Sequence, residues 1–303
     1  MIFFKKGLLL IQINGLICKK QQNKCIYIQG ALIMRSKKWL LTLSLSLLLV
    51  LTLAGCGQQK DTSVKKIQDK KVLVVGTEAD FAPFEFPVIK NGQKQITGYD
   101  IYIARRIAKK LGVKLEVQNT TFSSLITDLN QNKVDIVMAG MTDTPAREKS
   151  VAFSMGYYKV KNVLLVQKGQ ANTYAHISDL AGKSVGAQQA SLQESIAKNH
   201  LTKSNLVTES NVNSLASELQ NGKLSGVILD SVVADNFIKQ HPDKYEVASV
   251  ALPTPKSQRN ISVATRKGDK KLLKQVNFVI KQMKQTGQLD KLYQQAQDEE
   301  FSK

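Results

Sequence analysis

The strongest constraint on the fold is an alternation of apolar strands and amphipathic helices that runs once, stops, and runs again. KVLVVGT (71–77) is a short apolar run, followed by the turn-rich segment EADFAPFEFP with Pro83 and Pro87. After Asp100, the residues Ile103, Ala104, Ile107, Ala108 and Leu111 recur at helical spacing, and Gly112 follows as a stop. KLEVQN (114–119) alternates Leu115 and Val117 inward, a helix is expected over 122–131, and VDIVMAG (134–140) reads as a buried strand. This β-α-β-α-β order predicts a doubly wound sheet, which takes ligands at the carboxyl ends of its strands. The order restarts with NVLLVQ (162–167), SVGAQ (184–188), a helix from Ser191, a strand near Leu206, a helix over 212–220 and GVILD (226–230). NISVAT (260–265) and helices over 269–286 and 287–296 complete the chain.

The expected fold class is therefore α/β, with two doubly wound lobes. Lobe 1 is expected over 71–160 and lobe 2 over 161–254, with 255–303 returning to lobe 1. Two extended crossings, near Tyr157–Lys161 and Ala251–Lys256, form a hinge, and such a pair of lobes can open and close.

The formal charge of +19 raises the question of nucleic acid. Residues 1–55 carry eight bases and no acid. In the remainder, bases mix with acids on polar helix faces, so no nucleic-acid partner is expected. A basic surface instead suits anionic surroundings such as a cell wall or anionic lipid. The three cysteines are Cys18, Cys25 and Cys56, so the folded part has no disulfide and no thiol chemistry and rests on its apolar core. No metal spacing and no cofactor motif is present.

From Met34 the sequence has the layout of a secretory signal: the positive Arg35, Lys37 and Lys38, then an apolar run from Trp39 to Leu53. That run is short for a membrane span. It ends in Leu53-Ala54-Gly55-Cys56, which resembles a bacterial lipobox and implies cleavage before Cys56 and lipidation of that cysteine. The expected mature chain thus lies on the extracytoplasmic face of the cell membrane, lipid-anchored. Met34 is expected to be the true start, with 1–33 an upstream-start artefact. Residues 57–70 are polar and read as a flexible tether.

Six motifs then come in order: GTEADFAPFEF (76–86), ITGYDIYIARRIAKKLG (96–112), TFSSLITDLNQNKVDIVMAGMTDTPARE (121–148), FSMGYY (153–158), ISDLAGKSVGAQQASLQE (177–194) and GVILD (226–230). In order and spacing they resemble the type 2 solute-binding proteins of polar amino-acid ABC importers, over residues 71–297. The resemblance implies the type 2 periplasmic-binding-protein fold, a free amino acid held between the lobes, delivery to an ABC permease in the membrane, and a monomer. It implies that Arg147 grips the α-carboxylate, for which a guanidinium fork is suited, with Gly140 and Thr142 completing that site. It gives Asp230 the α-ammonium, and gives Ser191 a donor role at the start of a lobe 2 helix. Phe81 and Phe122 match positions that face the ligand side chain, and Glu78 and Gln188 match positions that meet its polar end. Many relatives have glycine where Ala190 stands, and some glutamine-binding relatives carry lysine near Gln188.

Each residue also has a plainer role available. Arg147 could pair with Glu148 or Asp143, Asp230 could cap the helix near Val232, Thr142 could serve a turn, and the two phenylalanines could be core. Glu78 with Phe81 and Phe122 favours a cationic tail, so arginine or another basic amino acid is expected first. Glutamine is second, through Glu78 and Gln188, and cystine and acidic amino acids rank lower. The alternatives in other classes are a sensor or surface adhesin on the same scaffold, and an enzyme, since a few proteins of this fold catalyse eliminations. His176, His200 and His241 lie outside the ligand motifs and no catalytic set emerges, so no enzyme is expected.

Overall fold

The computed structural model describes residues 2–5, 8–13, 16–21, 24–27, 61–255 and 258–302. The chain divides into two compact units, Met1–Lys60 and Asp61–Lys303. In the first, β1 (Ile2–Lys5), β2 (Leu8–Ile13), β3 (Leu16–Gln21) and β4 (Lys24–Tyr27) pair in order as an antiparallel meander. The expected signal segment from Met34 and the lipidation site Cys56 lie outside the described residues.

The second unit begins with a departure from the sequence reading. Asp61 onward is not a tether: α1 (Ser63–Lys70) is a helix whose Ile67 is 1% exposed. Asp61 accepts the Lys271 N–H, and Ser63 Oγ accepts the Leu272 N–H at 3.3 Å, so the chain is fastened to the C-terminal region where it enters the lobe. One buried isoleucine anchors a helix whose other residues are mostly polar, and composition alone hides it.

In lobe 1, β5 (Val72–Thr77) lies parallel to β8 (Lys114–Asn119) and β9 (Ile136–Val137). The returning β18 (Ala264–Arg266) and then β10 (Val151–Phe153) join antiparallel, giving the order β10-β18-β9-β5-β8. A hairpin of β6 (Phe86–Lys90) and β7 (Gln93–Thr97) leads into α2 (Tyr99–Leu111). The α2 face with Ile103, Ala104, Ile107 and Ala108 is buried, and Gly112 ends the helix in the left-handed region. The segment expected as one helix over 122–131 is a 3-10 turn, Phe122–Ser124, followed by α3 (Leu125–Asn130). VDIVMAG is strand only at β9, because Gly140 turns out of the ladder at φ 55° and gives its N–H to Asp100 Oδ2 at 3.0 Å.

Lobe 2 repeats the design. β12 (Asn162–Gln167), β13 (Ser184–Gln188), β14 (Asn205–Glu209), β15 (Gly226–Asp230) and β16 (Tyr245–Val247) form the sheet β14-β13-β15-β12-β16. β13 is parallel to β14 and β15, and β12 is antiparallel to β15 and β16. The helices between them are α5 (Leu192–His200), α6 (Val212–Gln220) and α7 (Ser231–Gln240); α4 (Pro145–Glu148) is a short turn in lobe 1.

The first crossing is β11 (Tyr158–Lys159), which pairs antiparallel with β17 (Asn260–Ile261). The second crossing therefore ends at 260–261, past Ala251–Lys256, and NISVAT is split between β17 in the hinge and β18 in lobe 1. The chain closes with α8 (Lys270–Gln285) and α9 (Gln288–Phe301), whose Tyr293 ring stacks 4.8 Å from Tyr158. Three apolar clusters fill Asp61–Lys303, with Leu73, Val75, Phe84, Ile103 and Ile136 fully buried. This unit carries its own core and can fold alone. Among the described residues, no helix is long and apolar enough to cross a membrane, and no group of side chains could hold a metal ion.

Candidate functional site

The carboxyl ends of both sheets face one seam between the lobes. From lobe 1, Thr144 Oγ1 caps α4 by accepting the Arg147 N–H at 3.3 Å. The half-buried Arg147 side chain turns away from Glu148 and Asp143. Its Nη1 donates to Thr142 O at 2.8 Å and Thr142 Oγ1 at 3.2 Å. Its Nη2 donates to the Ala190 carbonyl of lobe 2 at 3.1 Å, and its Cζ stands 5.1 Å from the Phe122 ring centroid. Burial lowers its pKa to about 10 while Asp230 pulls it up, so it keeps its charge near neutrality.

Asp230, at the end of β15, is 2% exposed and holds the N-cap position of α7. Its side chain makes no capping bond, so the plainer role is not the one the geometry favours. Its Oδ1 accepts from Gln193 Nε2 at 3.0 Å, and that nitrogen also donates to Asn162 Oδ1 at 3.0 Å. Burial raises its pKa to about 7, against the pull of Arg147 and Gln193. A cation from lobe 1 and an acid from lobe 2 thus feel each other across the seam without forming an ion pair.

Glu78 follows β5 and is 8% exposed; its Oε2 accepts from Gln188 Nε2 at 2.5 Å, again across the lobes. Burial, then the nearby charge of Asp80, raise the Glu78 pKa to about 8, against hydrogen bonds from the Phe122 backbone and Gln188. Asp80 makes a third bond between the lobes, accepting the Val212 N–H of α6 at 2.9 Å. The lobes are therefore closed on one another. A cavity of about 400 Å³ opens beside the Arg147–Ala190 contact, walled by Pro145, Ser191, Asn199 and Pro253 among others. It does not reach Glu78 or Asp230, which face each other's lobe within the seam itself.

Two expected residues sit differently from the sequence reading. The Gly140 N–H belongs to Asp100, so it is not free for a ligand carboxylate. Its missing side chain instead seats Phe81, since a Cβ there would stand 2.6 Å from the ring. Ser191 gives its N–H to Gln188 O at 3.2 Å, and its Oγ caps α5 by accepting the Glu194 N–H at 3.0 Å, which leaves only the hydroxyl hydrogen to donate. Phe81 is half-buried and stacks on Phe84 at 6.0 Å, and Thr142 is 4% exposed. Ala190 lies at φ 61°, in the left-handed region. Its N–H goes to Glu194 Oε2 at 2.7 Å and its carbonyl to Arg147, so both neighbours hold the strained conformation.

Sequence reasoning missed Gln193, which orients Asp230, and Asp80, which reaches lobe 2. Neither belongs to a motif position assigned a role, and both bonds join residues far apart in sequence.

Two doubly wound lobes, two crossings and opposite charges facing across the seam define a bilobal solute-binding protein. The chain belongs to the bacterial extracellular solute-binding proteins, family 3, whose family model matches residues 73–298. It therefore works outside the cytoplasm. It is 34% identical to the arginine-binding extracellular protein ArtP of Bacillus subtilis over 84% of this chain and 96% of that protein. It is 31% identical to a "Probable histidine-binding protein" of Neisseria gonorrhoeae, over 86% of this chain and 95% of the other. Among solved structures it is similar to the ABC transporter substrate-binding protein AbpA of Streptococcus pneumoniae bound to L-arginine, at a TM-score of 0.73 and 37% identity, covering 77% of this chain and 97% of that one.

Proposed function

We propose that this protein captures a basic amino acid, arginine before others, between its lobes and delivers it to an ABC permease, while a lipid on Cys56 keeps it at the membrane. The observation that carries the reading is the pair Arg147 and Asp230. They come from different lobes, they are charged oppositely, and they are not consumed by each other. An amino-acid zwitterion between them gives each an opposite partner and draws the lobes together. Thr142 borders the carboxylate end, and Phe122 lies against the guanidinium of Arg147. At the other end Glu78, beside Phe81, offers a carboxylate to a cationic tail. Two arginine-related relatives support that choice, and the histidine relative agrees with a basic or ring-bearing tail.

Glutamine remains the second reading, on one observation: Gln188 already hydrogen-bonds Glu78, so the pair can present a donor and an acceptor to an amide. The relatives that support the reading are binding proteins of transporters, so the ligand is expected back unchanged. A thermal-shift panel of the twenty amino acids and cystine on residues 61–303 tests the reading. A ligand at 100 times its dissociation constant adds about 2.7 kcal/mol of stability. Arginine is expected to give the largest shift; a panel without any shift contradicts the proposal.

A further inference from the structure

Outside the seam, one surface of lobe 1 has a composition that the solute site does not use. On α2 the exposed positions Arg105, Arg106, Lys109 and Lys110 are all basic, and its acid, Asp100, is fully buried. On α8, Lys271, Lys274, Phe278 and Lys281 are exposed and spaced by three and four, which places them on one stripe. That helix contains no acid. α1, α2 and α8 pack side by side, and Lys110 Nζ stands 4.4 Å from the Phe278 ring centroid, so the two stripes meet. Phe278 is 44% exposed. A groove of about 480 Å³ between α2 and α8 is lined by Arg106, Lys109 and Lys110 with Gln282 and Met283. A neighbouring groove brings Lys71 and Lys114 to Arg105 and Lys109.

From this arrangement we infer that the α1–α2–α8 face docks on an anionic phospholipid surface. Bases grouped around an exposed aromatic ring suit the headgroup layer, where lysine and arginine meet lipid phosphates and the ring sits at the apolar boundary. The path of the chain points to the same occupant. Asp61 is bonded to the first turn of α8 through Lys271 N–H, and Cys56 stands five residues earlier. Five residues span at most ~18 Å, so a lipid on Cys56 would keep the start of α8 within that reach of the membrane. In this respect the inference rests on the proposed anchoring at Cys56. Lys71 directly precedes β5 and Lys114 begins β8, at the amino ends of the sheet, whereas Glu78 and Gly140 follow its carboxyl ends. Docking by this face leaves the seam turned to the medium.

The test is co-sedimentation of residues 61–303, which lack Cys56, with vesicles of phosphatidylcholine alone and with phosphatidylglycerol added. Binding is expected only with phosphatidylglycerol and is released by about 0.5 M salt. The triple variant Arg105→Gln, Lys109→Gln, Lys110→Gln should bind about a hundredfold more weakly, at roughly fivefold per base removed. Phe278→Ala should also weaken binding. The control Lys183→Gln, Lys203→Gln, Lys223→Gln removes the same charge from lobe 2 and should change it little. No binding to phosphatidylglycerol vesicles, or equal losses in the two triple variants, overturns the docking face. Inorganic polyphosphate bound as tightly as the vesicles, with no effect of Phe278→Ala, assigns the patch to soluble polyanions and overturns the membrane. Anchoring is read separately, by fatty-acid labelling of the full chain and its Cys56→Ser variant. Failure of one result leaves the other standing.

Discussion

At Glu78 two demands meet: the carboxyl is buried, and its role in the proposed site requires charge. Burial and the charge of Asp80 hold its pKa near 8, so a cationic tail placed against it must restore the ionised form. Glu78→Gln should therefore weaken arginine far more than glutamine, by about tenfold or more for the loss of one charged partner; calorimetry with both ligands reads the ratio, and equal losses make Glu78 structural. Arg147, Thr142, Asp230 and Glu78 could be put forward from the sequence because each stands in a motif. Their chemical availability was not legible there. The Gly140 N–H is taken by Asp100, which lies at the start of α2, and the Ser191 N–H goes to Gln188 while its Oγ caps its own helix, which leaves only the hydroxyl hydrogen for a ligand. Commitments of that kind depend on which distant groups the fold brings near, and a local spacing cannot show them.

Among the elements, α1 is the clearest case of structure that composition concealed. Its residues are polar except Val64 and Ile67, yet Ile67 joins the main apolar cluster beneath α8. Ile67→Ala should cost about 2–5 kcal/mol, as for other fully buried aliphatic side chains. Denaturant unfolding of residues 61–303 measures this, and a cost near zero would return the segment to the status of a tether. The longer elements were legible for the opposite reason. α2 and α6 carry their apolar residues at helical spacing, and GVILD is a continuous apolar run, so local pattern and burial agree. VDIVMAG and NISVAT looked equally continuous but yield only short pairs, because each leaves its ladder to serve the seam or the hinge.

At the scale of the whole molecule, the charged and titratable groups in the seam govern how the two lobes meet. The lobes already meet through Gln188–Glu78, Arg147–Ala190 and Asp80–Val212. In the closed form, burial raises the pKa of Glu78 to about 8, of Asp230 to about 7 and of Asp80 to about 6. In an open, hydrated cleft these acids return toward about 4. Closing without a ligand therefore takes up protons. The closed form is favoured at low pH and loses that advantage progressively as pH rises from about 4 to about 8. Arg147 stays charged throughout that window. Small-angle scattering of residues 61–303 should show the unliganded radius of gyration increasing from pH 5 to pH 8, with saturating arginine keeping the protein compact at both. An unliganded radius independent of pH contradicts this balance. The central claim, that Arg147 and Asp230 each hold one charge of the same zwitterion, is tested most directly by calorimetric titration of arginine into the wild type, Arg147→Ala and Asp230→Ala forms of residues 61–303, with melting curves alongside. Each substitution should leave the fold intact and cost about 2–5 kcal/mol of binding, roughly thirtyfold to several-thousandfold in affinity; variants that melt like the wild type and bind arginine within about threefold of it would contradict the account.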